Sequence, residues 1–190
     1  PNETPTQTQF PLTPGPTPVP QRVMLAMARP IIHHRMPAFI AVFNAAAEGL
    51  KWIFQTAQPV LQLAGSGTLA MEAGVVNTMK RGDKALCVVG GKFGERWRNL
   101  CKAHGIESVS LDVEWGKAID PELVKRALDA DDKITAVFSQ ANESSTGVAH
   151  PGAEIAKPPP RPQRLTHGVG ALPPPRASAL PDARAGCALG

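Results

Sequence analysis

Proline sets the first limit on what this chain can fold into. Of its 20 prolines, seven fall in residues 1–20 and nine in residues 151–190. Only Pro30, Pro37, Pro59 and Pro121 interrupt the stretch between. A residue that fixes φ and lacks an N–H breaks helices and central strands alike, so regular structure belongs to the middle. The stretch ending PLTPGPTPVP reads as an extended arm over residues 1–20. Residues 153–190, dominated by Pro, Arg and Ala, read as an irregular, disordered tail. The foldable body is then residues 21–152, long enough for one core.

Within that body the apolar pattern has a rhythm. QRVMLAMA is a short helix, and Pro37 opens a long one reaching about residue 56. Its residues Phe39, Val42, Phe43, Ala46, Leu50, Ile53 and Phe54 recur at helical spacing. Strand-like runs then follow at 59–65, 84–90, 107–113 and 134–140, with helix-like runs at 68–80, 93–105 and 120–130. Asp120 and Pro121 form a helix start, and Gly105 a helix stop. Alternating strands and helices specify an α/β domain with a largely parallel sheet. Beyond about Gly152 the rhythm lapses, and no further strand or helix is expected.

Charge and cysteine usage narrow the function classes. The last forty residues carry +3 of the net +4, so the basic character belongs to the tail. No aromatic residue is interleaved with its arginines, which argues against a base-stacking, nucleic-acid-binding surface. Cys87, Cys101 and Cys187 have no metal-ligand spacing, so no metal site is expected, and reduced thiols suit a cytoplasmic protein. The most apolar run, AFIAVFNAAAEGLKWIF, is too short and too polar for a bilayer, so no membrane partner is expected. The N-terminus lacks the pattern of a signal peptide.

The stretch QLAGSGTLAMEAGVVN holds the sharpest local signal. Its Gly-Ser-Gly-Thr turn enters a helix, and the free N–H groups and dipole of a helix start favour a phosphate. GSGTLA also fits the dinucleotide pattern G-x-G-x-x-A. That reading needs an acid at the far end of the next strand, whereas KALCVV runs into Gly90-Gly91 and Asp83 precedes it. A lysine of the P-loop kind is missing too. A tight turn that binds nothing is the plain alternative.

Four segments in order, PGPTPVPQRVMLAMARPIIHHR, GSGTLAMEAGVVN, GGKFGERW and NESSTGVAHP, resemble class V pyridoxal-phosphate aminotransferases. The resemblance is to the alanine–glyoxylate and serine–glyoxylate (serine–pyruvate) group, and it covers about residues 11–155. It implies an incomplete aspartate-aminotransferase-like large domain (fold type I), a homodimer, and transfer of an amino group from a small amino acid to a 2-oxo acid. It implies that Ser66, Gly67 and Thr68 cradle the cofactor's phosphate and that Phe93 stacks on the pyridine. Ser144 then lies near the phenolic oxygen, and Gly15, Pro16 and Thr17 line the substrate side. His33, His34 and Arg35 would fall near the dimer interface. Glu72 and Glu143 carry no pairing signal for acid–base work, and Trp52, Trp97 and Trp115 are expected to pack.

The same resemblance asks for a Schiff-base lysine and for an aspartate on the pyridine nitrogen, both after the NESSTG segment. Neither is recognisable. Lys157 is the last lysine and lies too close to the loop, and THGVGAL places His167 where the acid belongs. The expectation is a truncated chain without transaminase activity, whose tail has the composition of a GC-rich gene read out of frame from about residues 151–158. Two other readings stand beside it. One is another fold-type-I enzyme, a cysteine desulfurase or lyase. The other is a non-catalytic binding protein that keeps a relic of the phosphate site.

Overall fold

The computed structural model describes Gly15, residues 17–157, and the strand segments 165–169 and 187–188. The chain divides into two compact units, Pro1–Glu48 and Gly49–Gly190. In the first, α1 (Gln21–Met27) is followed by α2 (Pro37–Phe54), which runs across the boundary. Pro37 opens α2 as the sequence requires. None of its residues is buried, and Val42 and Phe43 stay 66% and 47% exposed. A helical apolar stripe specifies a helix; it does not by itself supply the surface that covers it.

The second unit is the α/β domain. Its helices are α3 (Gly67–Thr78), α4 (Lys92–Ala103), α5 (Pro121–Ala130) and the short α6 (Gly152–Ile155). Its main strands are β1 (Lys84–Val89), β2 (Glu107–Asp112) and β3 (Ile134–Gln140). A small antiparallel hairpin, β4 (Asn142–Glu143) with β5 (Val148–Ala149), follows β3. The backbones of β6 (Leu165–Val169) and β7 (Cys187–Ala188) complete a sheet of order β2-β1-β3-β6-β7, parallel at every pairing. These two strands and α6 differ from the expectation that the rhythm ends near Gly152. Thr166–Val169, including His167, pairs beside Val137–Gln140 of β3. A parallel ladder satisfies backbone groups whatever the side chains, so strand backbone can form where the apolar period is weak.

Residues of β1 alternate between two cores. Ala85, Cys87 and Val89 join Met71 and Val75 of α3, Trp97 and Cys101 of α4, and Phe138 of β3. Leu86 and Val88 join Val124 and Leu128 of α5, Ile134 and Val137 of β3, and Ile155 of α6. A strand buried on both faces reads as a continuous apolar run, which is why KALCVV and ITAVFSQ were legible. Trp97 stacks on Phe138 with ring centroids 4.9 Å apart. Trp52 and Trp115 do not pack as expected; they remain 69% and 51% exposed. The cysteines, scattered in sequence, are not all scattered in space. Cys87 and Cys101 bring their sulfurs to 3.9 Å in the core. The hydrogen bond to Cys101 and burial push the Cys87 thiol well above its usual range.

The expected strand at 59–65 does not form. Leu61 and Leu63 there are 81% and 59% exposed, and no described strand lies beside the segment to complete a ladder. Strand geometry needs a neighbour to take its N–H and C=O groups.

Candidate functional site

The chain leaves β1 for β2 on one side and then crosses to β3 on the other. That reversal is a topological switch point, and the ligand crevice of such sheets lies outside the carboxyl ends of the strands, here those of β1 and β3. Two helix starts and the β4–β5 hairpin belong to this edge of the sheet.

The first helix start is α3. Ser66 is its N-cap, in extended geometry (φ −81°, ψ 167°), and its hydroxyl makes no capping hydrogen bond. Leu69 N–H turns back to the Ser66 carbonyl at 2.9 Å. The amides of Gly67 and Thr68 come before any carbonyl that helix geometry could offer them. Thr68 Oγ1 accepts from Arg96 Nη1 at 2.8 Å. Two open amides, the positive end of a twelve-residue helix and a guanidinium thus converge on one short turn.

The second start is α4. Its N-cap is Gly91, which has no side chain to offer. Instead, the carboxylate of Glu143, fully buried on the hairpin, accepts from Gly94 N–H at 2.9 Å and from Phe93 N–H at 3.3 Å. Ser145 Oγ donates to Glu143 Oε1 at 2.5 Å and accepts from Lys92 N–H at 3.0 Å. A Cβ on Gly91 would sit 2.6 Å from Glu143 Cγ, so the turn closes this tightly only with glycine there. His150, on the far end of the hairpin, is buried and accepts from Ile119 N–H at 3.1 Å through Nδ1. Burial holds its pKa below 6.5, opposed by the nearby Glu143 carboxylate.

Phe93 is half-buried against the core, and the Arg96 guanidinium lies 5.1 Å from its ring centroid. Arg96 therefore ties Thr68 to Phe93, two residues that the sequence singled out separately. Ser144 is half-buried in the hairpin turn next to Glu143. Ser66, Gly67, Thr68, Phe93 and Ser144 thus all belong to the α3 start, the α4 start or the hairpin. Gly15 and Thr17 are exposed residues of the other unit, and Pro16 lies outside the described residues. His33 and His34 stack at 4.4 Å, with Arg35 N–H on His33 Nδ1. Asp83 accepts from Lys80 N–H at 2.9 Å in the turn before β1, away from the crevice.

Sequence reasoning gave no role to Arg96, Glu143 or Gln140. The Gln140 Oε1 and Ser139 Oγ atoms at the end of β3 are buried with no hydrogen-bond partner among the described residues. By strand alternation Gln140 continues the face of Ala136 and Phe138, toward α3 and α4. Glu72, which carries no pairing signal for acid–base work in the sequence, lies 2.8 Å from His104 Nε2 at the end of α4. One signal did point to Glu143. A helix start with glycines and no Ser, Thr, Asp or Asn before it must find its cap elsewhere.

No family model matches the chain. An uncharacterized aminotransferase of Methanocaldococcus jannaschii is 45% identical over 146 residues, covering 77% of this chain and 38% of that protein. The serine–glyoxylate aminotransferase of Methylorubrum extorquens is 36% identical over 138 residues, covering 71% of this chain and 34% of that protein. Among solved structures, the subgroup IV aspartate aminotransferase of Thermus thermophilus aligns with TM-score 0.78 and 34% identity, covering 85% of this chain and 45% of that one. The chain spans less than half the length of each of these three.

The residues present fit the anionic end of pyridoxal phosphate, the cofactor that the resemblance implies. The donors at the α3 start are amides and a hydroxyl beside a guanidinium, a set suited to phosphate oxygens. The unpartnered Gln140 acceptor and the Phe93 ring belong to the same edge of the sheet. No described lysine stands with them to serve the reacting end, and the Glu143 carboxylate is committed to the α4 amides. Lys92 is exposed and paired with Glu95 at 2.9 Å.

Proposed function

We propose that the crevice binds pyridoxal 5'-phosphate for amino transfer from a small amino acid to a 2-oxo acid, a reading supported by the likeness to aminotransferases, among them serine–glyoxylate and alanine–glyoxylate enzymes, over the part the chain shares with them. The observation that carries this reading is the α3 start, with the Gly67 and Thr68 amides open and Arg96 on Thr68. When bound, the cofactor supplies the electron sink on which an amino group leaves one acid and joins another.

The chain's own residues have separable tasks in this reading. The Gly67 and Thr68 amides and the Ser66 hydroxyl hold the phosphate. Arg96 adds charge beside it. Phe93 offers a flat apolar face that orients the ring and keeps water from it. Ser144 supplies a hydroxyl at the ring's phenolic edge. The partner is a second copy of the chain, and the compartment is the cytoplasm. The lysine and the aspartate that the chemistry needs are not recognisable in these 190 residues. We therefore propose that the chain as given binds the cofactor without transferring an amino group.

Titrating the full chain with pyridoxal phosphate and following cofactor absorbance tests the binding step. Assays with alanine plus glyoxylate, serine plus pyruvate, and cysteine test the chemistry. Saturable binding without turnover is the expected result. Turnover with either amino donor would refute the inactivity, release of sulfide from cysteine would favour a desulfurase, and no binding would refute the reading.

A further inference from the structure

We propose that Glu143 is a positioning residue, whose buried carboxylate caps α4 from the hairpin and so fixes Phe93 and the Ser144 turn against each other. The proposal rests on the reading that this crevice takes pyridoxal phosphate. It concerns a group that touches neither phosphate nor ring.

A helix beginning at Lys92 leaves its first amides without intrahelical partners. Gly91 offers no side chain. Both Glu143 oxygens are engaged on this end, one with Gly94 N–H at 2.9 Å and one with Phe93 N–H at 3.3 Å. Ser145 extends the clasp, donating to Glu143 and accepting from Lys92 N–H at 3.0 Å. Three consecutive amides of α4 are therefore held by two residues of the hairpin, about fifty positions away in sequence.

The chemistry suits a carboxylate and nothing else of its size. A carboxylate accepts at both oxygens, is favoured by the positive end of the helix, and forms charge-assisted bonds. A glutamine would present an NH₂ to one of the donors. An aspartate keeps both acceptors but is one methylene short. The glycine at 91 is part of the same device, since a side chain there would occupy the space that Glu143 fills.

Phe93 is the second residue of α4, in the turn that frays first when a cap is lost. Its ring is flanked by Arg96, which in turn holds Thr68. Releasing the Phe93 and Gly94 amides therefore loosens the aromatic wall while leaving the α3 donors in place. Ring recognition and phosphate recognition then respond differently to the same substitution.

The test uses the full chain and two probes, pyridoxal phosphate and inorganic phosphate. Glu143→Gln is expected to raise the pyridoxal phosphate Kd about tenfold, the equivalent of one charge-assisted bond. The inorganic phosphate Kd is expected to stay within about twofold. Glu143→Asp should recover part of the loss. Phe93→Ala combined with Glu143→Gln should be weaker than Phe93→Ala alone by clearly less than the full Glu143→Gln loss, because Glu143 acts in part through Phe93. Amide exchange at Phe93 and Gly94, read by NMR, should accelerate in Glu143→Gln without any ligand.

Unchanged exchange at those two amides, or losses that add fully in the double variant, would overturn the proposal although the cofactor binds. If the unaltered chain binds no pyridoxal phosphate, the reading of the crevice fails, and the positioning role falls with it. If Glu143→Gln does not fold, Ser145→Ala removes only the outer clasp and should shift the cofactor Kd roughly two- to threefold. No shift in Ser145→Ala would then count against the proposal.

Discussion

The two helices that begin in the crevice solve the same problem in opposite ways. Each starts beside the carboxyl ends of the strands, and each presents amides and a positive dipole end there. At α4 the protein supplies its own anion, the fully buried carboxylate of Glu143. At α3 the N-cap hydroxyl makes no internal bond, and a cation rather than an anion stands beside it. The capped start is structural, and the open one is where we propose that a ligand's anion binds. Two helix starts at one edge of the sheet thus differ in what their surroundings offer, an anion at α4 and a cation at α3.

The largest expected effects come from exchanging these roles. Glu143→Ala strands two amides at the α4 start and should cost about 2–4 kcal/mol in urea unfolding. Ser66→Ala, which removes no internal hydrogen bond, should cost no more than about 0.5 kcal/mol. Similar losses for the two variants would erase the contrast. On binding the ranking reverses within α3. Thr68→Val removes a hydroxyl and its link to Arg96, and should weaken pyridoxal phosphate roughly tenfold with little change in stability.

A pH titration sharpens the capped side. His150 backs the hairpin, and burial holds its pKa below 6.5 against the pull of Glu143. The unfolded chain therefore takes up a proton that the folded chain resists. Stability should fall as pH drops below 6.5, and it should be unaffected by this group well above that value. His150→Asn keeps an acceptor for Ile119 N–H and should flatten that slope. A slope that persists in His150→Asn would assign it to other groups.

The smallest effect concerns Gln140, whose buried acceptor has no partner among the described residues. Gln140→Met keeps the volume and removes the orphan. Without ligand it should raise stability by up to about 1 kcal/mol in thermal unfolding. Loss of stability instead would mean that the amide has a partner in the unliganded protein.

Much of the fold was legible because local rules and burial agreed. β1 and β3 are buried on both faces and read as unbroken apolar runs. Asp120 caps α5 through the Glu122 amide at 3.0 Å, as its sequence position implies. The 59–65 segment misled because an apolar run records no information about whether a neighbouring strand exists. At the candidate site, the Gly-Ser-Gly-Thr turn carried a short-range signature of a helix start, which forms at α3, whereas Phe93 and Ser144 were singled out by the resemblance and not by a local pattern. Arg96 and Glu143 were not legible, since their partners lie 28 and about fifty residues away and leave no period in the sequence. The missing local cap before α4 was the one trace of Glu143.

The central claim is that the α3 start holds a phosphate. ³¹P NMR of pyridoxal phosphate with the full chain, competed by inorganic phosphate and repeated with Thr68→Val, tests it most directly. The account predicts a shifted, saturable phosphate signal that inorganic phosphate displaces and that weakens about tenfold in Thr68→Val. A signal that never saturates, or one indifferent to Thr68→Val, would contradict it.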